Sequence, residues 1–319
     1  MSAAPDEFDW IAALRPLTRG AGAALGLMDD AAVLPAKPGY DLVVSEDAMV
    51  EGVHFLEGED ASIVARRLLR TSLSDLAAKA AEPFGYLLMT AWPATRGWDD
   101  RHAFIRGLDE DGARYGLALL GGDTVATPGP LTVSATILGW APAGRALLRS
   151  GARPGDALVV CGPIGDGLLG LMAARREIPD PDGALARRFR LPEPRLDLRE
   201  ALRAHATAAA DVSDGLLADA LHVAAASGCG VELDLAAMPV SAAAQAWLAA
   251  QPDPDAARLQ LATGGDDYAL VCAAPDGKAL VRAAGGAAGV VGRFFEGGGL
   301  RVTTGGRIVE PGQLGWRHR

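Results

Sequence analysis

The sequence predicts an α/β chain, with α+β character, built as two domains. Three observations lead there. Short apolar runs of strand length alternate with longer segments of helical period. The 319 residues exceed what one hydrophobic core ordinarily serves. A stretch at 141–156 rich in Gly, Pro and Arg interrupts the pattern as a domain junction would. The expected domains are 1–140 and 141–319.

In order along the chain, residues 6–15 read as a short amphipathic helix and Asp41–Ser45 as a strand running into Ser45-Glu46-Asp47. Ser62–Ala80 predicts a helix, because Ile63, Leu68, Leu69, Leu73 and Leu76 recur near helical spacing; Asp75 lies on it. Tyr86–Ala91 is a strand, Arg101–Tyr115 a helix, Leu117–Leu120 a strand entering a Gly121-Gly122-Asp123-Thr124 turn, and Leu131–Leu138 a strand. The second half opens with a strand at Ala157–Cys161, a glycine turn and a helix near 167–176. A Pro- and Asp-rich loop follows at 179–183. Asp211–Ala226 begins with polar cap residues and continues as a helix, and Gly230–Leu235 and Tyr268–Cys272 are strands.

Half the residues are hydrophobic and 22% are charged, with a formal net charge of −10. That balance argues against nucleic acid or an anionic membrane as partner. No apolar run reaches the length of a membrane span, and Met1–Trp10 lacks the basic-then-apolar pattern of a signal peptide, so a cytoplasmic protein is expected. Cys161, Cys229 and Cys272 stand apart from one another in apolar or glycine-bearing sequence, as buried free thiols would.

The chemistry concentrates in acids beside glycine or serine. These are Asp29-Asp30, Glu46-Asp47, Asp75, the Asp123 turn, Asp211-Val212-Ser213-Asp214-Gly215 and Gly264-Gly265-Asp266-Asp267. Each alone reads as a loop, a helix-start charge or a turn. Together they suit a metal–phosphate site, because gathered carboxylates repel unless cations sit among them, and Mg²⁺ prefers oxygen ligands that include phosphates. One other motif competes. Gly165-Asp166-Gly167-Leu168-Leu169-Gly170 fits G-x-G-x-x-G between a strand and a helix, the context of a dinucleotide fingerprint. The acid required at a second strand end is missing: the chain there reads Pro179-Asp180-Pro181-Asp182-Gly183, then Ala186–Arg190. A turn that lets a helix pack closely is the better reading. A Walker A loop is absent.

The ordered motifs resemble the thiamine-monophosphate kinase family, of the superfamily that includes aminoimidazole ribonucleotide synthetase. The matching segments run from Asp29 to Leu34, Ser45 to Asp47, Val50 to Phe55, Ser72 to Ala78, Gly121 to Thr124, Arg149 to Asp156, Asp211 to Leu216 and Gly264 to Tyr268. The resemblance covers about residue 6 to Trp316. Its Val50-Glu51-Gly52-Val53-His54-Phe55 segment is specific to the kinase. It implies an aminoimidazole ribonucleotide synthetase-like fold: an N-terminal mixed sheet with helices that binds ATP and Mg²⁺ and dimerises, and a C-terminal α/β domain that completes the active site. It implies direct transfer of the γ-phosphoryl group from ATP, as co-substrate, to thiamine monophosphate, with several Mg²⁺ ions and a homodimer.

By the same resemblance, Asp30, Ser45, Glu46, Asp47, Asp75, Asp123, Asp211 and Asp214 fall at metal-ligand positions. Tyr115, Gly122, Asp123, Arg149 and Ser213 fall at ATP-contacting positions. His54, Asp266 and Trp316 fall at substrate positions, and Asp47, Asp123, Arg149 and Asp214 carry the catalytic roles. Three residues depart from the family pattern: Met28 stands where glycine is usual, Glu46 for threonine and Asp266 for glutamate. The alternatives are another ATP-using member of the superfamily, or a Mg·nucleotide-binding module that has lost catalysis. Selenophosphate synthetase is disfavoured, because the first cysteine is Cys161.

Overall fold

A computed structural model describes residues 7–286 and 288–316. Asp6, the first residue of the expected N-terminal helix, lies outside them; the helix is α1, Glu7–Leu14. The chain divides into two compact units: Met1–Leu76 with Ala81–Gly144, and Ala77–Ala80 with Arg145–Arg319.

In the first unit, β1 (Tyr40–Val50), α2 (Ala61–Ala78), β2 (Glu82–Pro93), α3 (Trp98–Tyr115), β3 (Ala118–Thr127) and β4 (Thr132–Pro142) follow one another. The sheet order is β1-β4-β2-β3, with β2 and β3 parallel and the other neighbours antiparallel. α2 buries Leu68, Leu69, Leu73 and Leu76 completely, which is the stripe its periodicity predicts. α2 and α3 approach closely at Gly107, where a Cβ would lie 2.3 Å from the Ser62 carbonyl oxygen. A buried ion pair joins the same helices: Arg70 Nε donates to Asp111 Oδ2 at 2.6 Å and Arg70 Nη2 to Oδ1 at 3.1 Å.

Two elements differ from expectation. β1 does not stop at Ser45. Glu46 and Asp47 continue its ladder opposite Thr136 and Ala135 of β4, so these acids sit inside a strand. The Gly121–Thr124 segment is likewise strand, pairing with β2 in parallel register, Met89 opposite Asp123. Two adjacent glycines read as a turn in isolation. Here Gly122 allows close backbone approach: at φ +155°, its Cβ would meet the Leu88 carbonyl oxygen at 1.9 Å.

The second unit runs β5 (Ala157–Cys161), α4 (Asp166–Ala174), α5 (Ala184–Arg190), α6 (Arg199–His205), β6 (Ala208–Asp211), α7 (Leu216–Ala226) and β7 (Gly230–Asp234). It continues through α8 (Ala242–Ala249), α9 (Pro254–Ala262), β8 (Leu270–Ala274), α10 (Gly277–Ala284), β9 (Ala288–Phe295), β10 (Leu300–Thr304) and β11 (Arg307–Ile308). The strand order is β11-β10-β7-β9-β5-β8-β6. Both faces of the central strands are covered. Leu158 and Val160 enter one core with Leu216 and Leu217 of α7, while Val159 and Cys161 enter another with Leu202 of α6 and Leu280 of α10. The three cysteines are free and buried.

Asp111→Ala should destabilise the first unit by about 3–5 kcal/mol, because it removes the carboxylate paired with a buried guanidinium. The exposed Arg199–Glu200 pair should contribute nothing measurable when Glu200 is replaced by alanine. Urea midpoints of the two variants read the difference.

Candidate active site

The face of the first sheet that carries Glu46 borders a cavity of about 670 Å³, a size suited to a small ligand. Asp30, Glu46, Gly122 and Asp123 line it, with Trp10 and Leu119 among its apolar walls. Four of the residues singled out from sequence thus meet at one cavity. Asp30 is exposed, its amide bonded to Asp29 Oδ1 at 2.8 Å. Asp123 Oδ1 accepts the Thr124 amide at 2.8 Å, and Ser134 Oγ donates to Glu46 Oε1 at 2.9 Å. Met28 has φ −113°, an ordinary angle for a side-chain-bearing residue, so its replacement of glycine introduces no strain. The left-handed residues are its predecessors Leu25, Gly26 and Leu27.

The two-residue period of β1 turns Ser45 and Asp47 to the opposite face, against α2. Ser45 Oγ donates to Asp75 Oδ2 at 2.5 Å. Burial, then the charges of Asp75 and Glu46, push the Asp47 carboxyl up to about 6, against a hydrogen bond from Ser72. Near β1, His54 is half-buried in a tight turn; its Nδ1 accepts the Val50 amide at 3.0 Å, which places the ring proton on Nε2. Tyr115 ends α3, with Arg70 and Arg114 over its ring.

In the second unit, the site residues converge on the loop between β6 and α7. The carbonyls of Val212, Ser213 and Asp214 accept the amides of Tyr268, Asp266 and Trp316, at 2.9, 2.8 and 2.8 Å. The amides of Ser213, Asp214 and Gly215 all donate to one oxygen of Asp219, at 3.1, 3.2 and 3.2 Å. Ser213, Asp214, Asp266 and Trp316 are thereby brought together, with Trp316 itself 58% exposed. Asp211 is buried at the last position of β6. Arg149 is exposed; its carbonyl accepts from Ser227, and its charge helps hold down the Asp219 proton affinity.

Three residues with roles here were given none from the sequence: Asp219, Tyr268 and Asp267. Burial, then the charge of Asp214, push Asp219 up to about 7, against the loop amides and Arg149. Its signal was an acid on the core face of a helix, among Leu216, Ala220 and Val223. Asp267 is 3% exposed and accepts the amides of Gly165 and Gly167 at 2.9 Å through Oδ1. An internal carboxylate therefore holds the helix N-terminus that a dinucleotide phosphate would need. The glycines of that motif serve close packing instead: a Cβ on Gly167 would meet the Asp266 carbonyl at 2.5 Å, and one on Gly170 the Leu185 carbonyl at 2.4 Å.

Among the described residues, no three His, Cys, Asp or Glu side chains lie close enough to hold a metal ion by themselves. The donor set is nonetheless all oxygen, and the charges of Asp75 and Glu46 act on an Asp47 carboxyl already raised by burial. Both fit a hard dication that takes its remaining ligands from phosphates.

Comparison with known proteins identifies the family. Residues 28–141 match the family model of the AIR synthase related protein, N-terminal domain, and residues 153–305 that of the C-terminal domain. The chain is 59% identical over 323 residues to the thiamine-monophosphate kinase of Caulobacter vibrioides, spanning 99% of this chain and 92% of that one. Its structure is similar to that of the thiamine-monophosphate kinase from Stenotrophomonas maltophilia K279a, with a TM-score of 0.82 at 33% identity over 95% of this chain and 98% of the other. It is also similar to AaThiL complexed with AMPPCP and TMP, with a TM-score of 0.78 at 27% identity over 98% and 97% of the two chains.

Burial, opposed by the two glycine amides, pushes the Asp267 carboxyl from its ordinary 3.8 up to about 8. A raised folded-state value means that its stabilising contribution is complete below the ordinary value and is lost as pH rises through the folded one. Asp267→Asn keeps an oxygen for both amides but cannot ionise. The stability of wild type minus that of Asp267→Asn, from urea melts, should therefore fall between about pH 4 and pH 8. A difference that stays flat or rises contradicts the assignment.

Proposed function

We propose that this chain, which belongs to the AIR synthase related family and within it to the thiamine-monophosphate kinases, phosphorylates thiamine monophosphate with ATP. The γ-phosphoryl group passes to the substrate phosphate, giving thiamine diphosphate and ADP. The observation that carries the reading within the structure is the convergence of Ser213 and Asp214 with Asp266 and Trp316 on one loop. Residues suited to phosphate and metal thus neighbour residues suited to a flat, cationic heterocycle.

The roles follow from chemistry. Trp316 presents a largely exposed ring on which the cationic thiazolium can stack, and Asp266 supplies a nearby negative charge. His54, with its proton on Nε2, donates to the substrate. Arg149 forks onto phosphate oxygens. Gly122 lines the cavity that takes ATP, and Ser213 and Tyr115 complete the nucleotide contacts. Asp30, Ser45, Glu46, Asp47, Asp75, Asp123, Asp211 and Asp214 hold Mg²⁺ ions. When bound, Mg²⁺ neutralises the charge that develops on the transferring phosphoryl group. No side chain needs to act as general base, since the acceptor phosphate is already ionised. What remains for the protein is positioning and charge compensation.

The protein is also proposed to be a cytoplasmic homodimer. Among the described residues, no helix is long and apolar enough to cross a membrane. Leu42, Val44, Leu87 and Val125 are exposed on the Glu46 face of the first sheet. A second copy is the occupant that such a face of regular strands suits. Sedimentation should give twice 32.8 kDa, and Val44→Arg should shift it toward the monomer; a monomeric wild type refutes the dimer.

Incubation with Mg·ATP and thiamine monophosphate should yield thiamine diphosphate; nucleotide binding without product, beside an active control enzyme, contradicts the reading. Asp47→Ala and Asp123→Ala should each lower kcat by about a hundredfold or more with melting temperature preserved. Wild-type turnover by either variant at low Mg²⁺ removes that residue from the metal set. Chelation of Mg²⁺ should abolish ATP binding measured by calorimetry.

A further inference from the structure

The segment that carries Asp266 is held with unusual firmness. Asp266 has φ +60° and Tyr268 φ +51°, both left-handed. Aspartate tolerates that region; a bulky aromatic adopts it only when its surroundings impose it. The surroundings do so on two sides. The Asp266 and Tyr268 amides are bonded to the Ser213 and Val212 carbonyls. Opposite them, the start of α4 lies so close that a Cβ on Gly167 would meet the Asp266 carbonyl at 2.5 Å, while Asp267 bonds the Gly165 and Gly167 amides. With the backbone fixed, the remaining freedom at Asp266 is rotation of its side chain.

Tyr268 limits that rotation. Its ring is buried, 8% exposed, and its hydroxyl donates to Asp266 Oδ1 at 2.9 Å. An ionised carboxylate accepts several hydrogen bonds, so this contact occupies one oxygen and sets the direction of the other. The short arm of Asp266 reaches few positions, so its direction matters.

We propose that Tyr268 is a positioning residue that acts through Asp266: its hydroxyl aims Asp266 Oδ2 at the cationic part of thiamine monophosphate and so governs affinity for that substrate. The inference rests on the assignment of thiamine monophosphate as substrate. The left-handed angles at Asp266 and Tyr268 serve this aim, because they return the tyrosine hydroxyl to the aspartate two residues before it.

Tyr268→Phe removes the hydroxyl and leaves the ring. It should raise KM for thiamine monophosphate about tenfold, the effect of losing one hydrogen bond to a charged group. KM for ATP and the melting temperature should stay near wild type. Asp266→Ala should raise KM for thiamine monophosphate as well, and adding Tyr268→Phe to it should raise it no further, because a residue that acts only through Asp266 has nothing left to position. Fully additive effects overturn the inference, as does a Tyr268→Phe enzyme whose KM for thiamine monophosphate lies within twofold of wild type. Equal rises in both KM values point to general loosening of the loop and also overturn it. A wild type that turns over ATP but forms no thiamine diphosphate from thiamine monophosphate overturns the functional reading, and the inference falls with it.

Discussion

One carboxylate oxygen organises the candidate residues of the second unit. Asp219 takes three successive amides of the 213–215 loop onto Oδ2. Those amides precede α7 and lack intrahelical partners, so the acid does for them what a bound anion would do. The arrangement is not comfortable for the acid. Its burial and the neighbouring Asp214 push its proton affinity up, while the amides and Arg149 oppose them. The amides are therefore satisfied at the expense of a buried charge, which ties the shape of this loop to the electrostatics of the site.

That loop in turn shapes two segments remote in sequence. Its carbonyls receive the amides of Asp266, Tyr268 and Trp316. Gly265 and Gly315 permit the contact, since a Cβ on either would lie within 2.6 Å of the Ser213 or Asp214 carbonyl oxygen. The first unit works differently. There the pleat of β1 distributes acids to both faces of a sheet, Glu46 toward the cavity and Asp47 toward Asp75 on α2. Asp47 still feels the like charges of Asp75 and Glu46.

The parts of the fold visible in the sequence were those whose side chains declare a period. The leucine stripe of α2 and the apolar runs of β2 and β5 are examples. The second unit was less legible because alanine declares none. Ala208–Asp211 is a fully buried strand at one edge of its sheet and Ala242–Ala249 a helix, yet both are alanine-rich, and only tertiary packing distinguishes them. Acids and glycines identified the site more readily than they identified its geometry. Glycine pairs that signal a turn also mark a strand under close approach, which is why Asp123 was expected on a turn and stands in β3. Tyr268 and Asp219 carried no motif of their own, and their roles depend on hydrogen bonds between residues that only the folded chain brings together.

The central claim is that Asp219 holds the 213–215 loop and, through it, the segments bearing Asp266 and Trp316. Amide hydrogen exchange of the Asp219→Ala protein tests it most directly. Protection should fall at Ser213, Asp214 and Gly215 and also at Asp266, Tyr268 and Trp316, while the amides of β5 and β8 keep wild-type protection. Loss confined to 213–215, or an even loss across the sheet, would contradict the account.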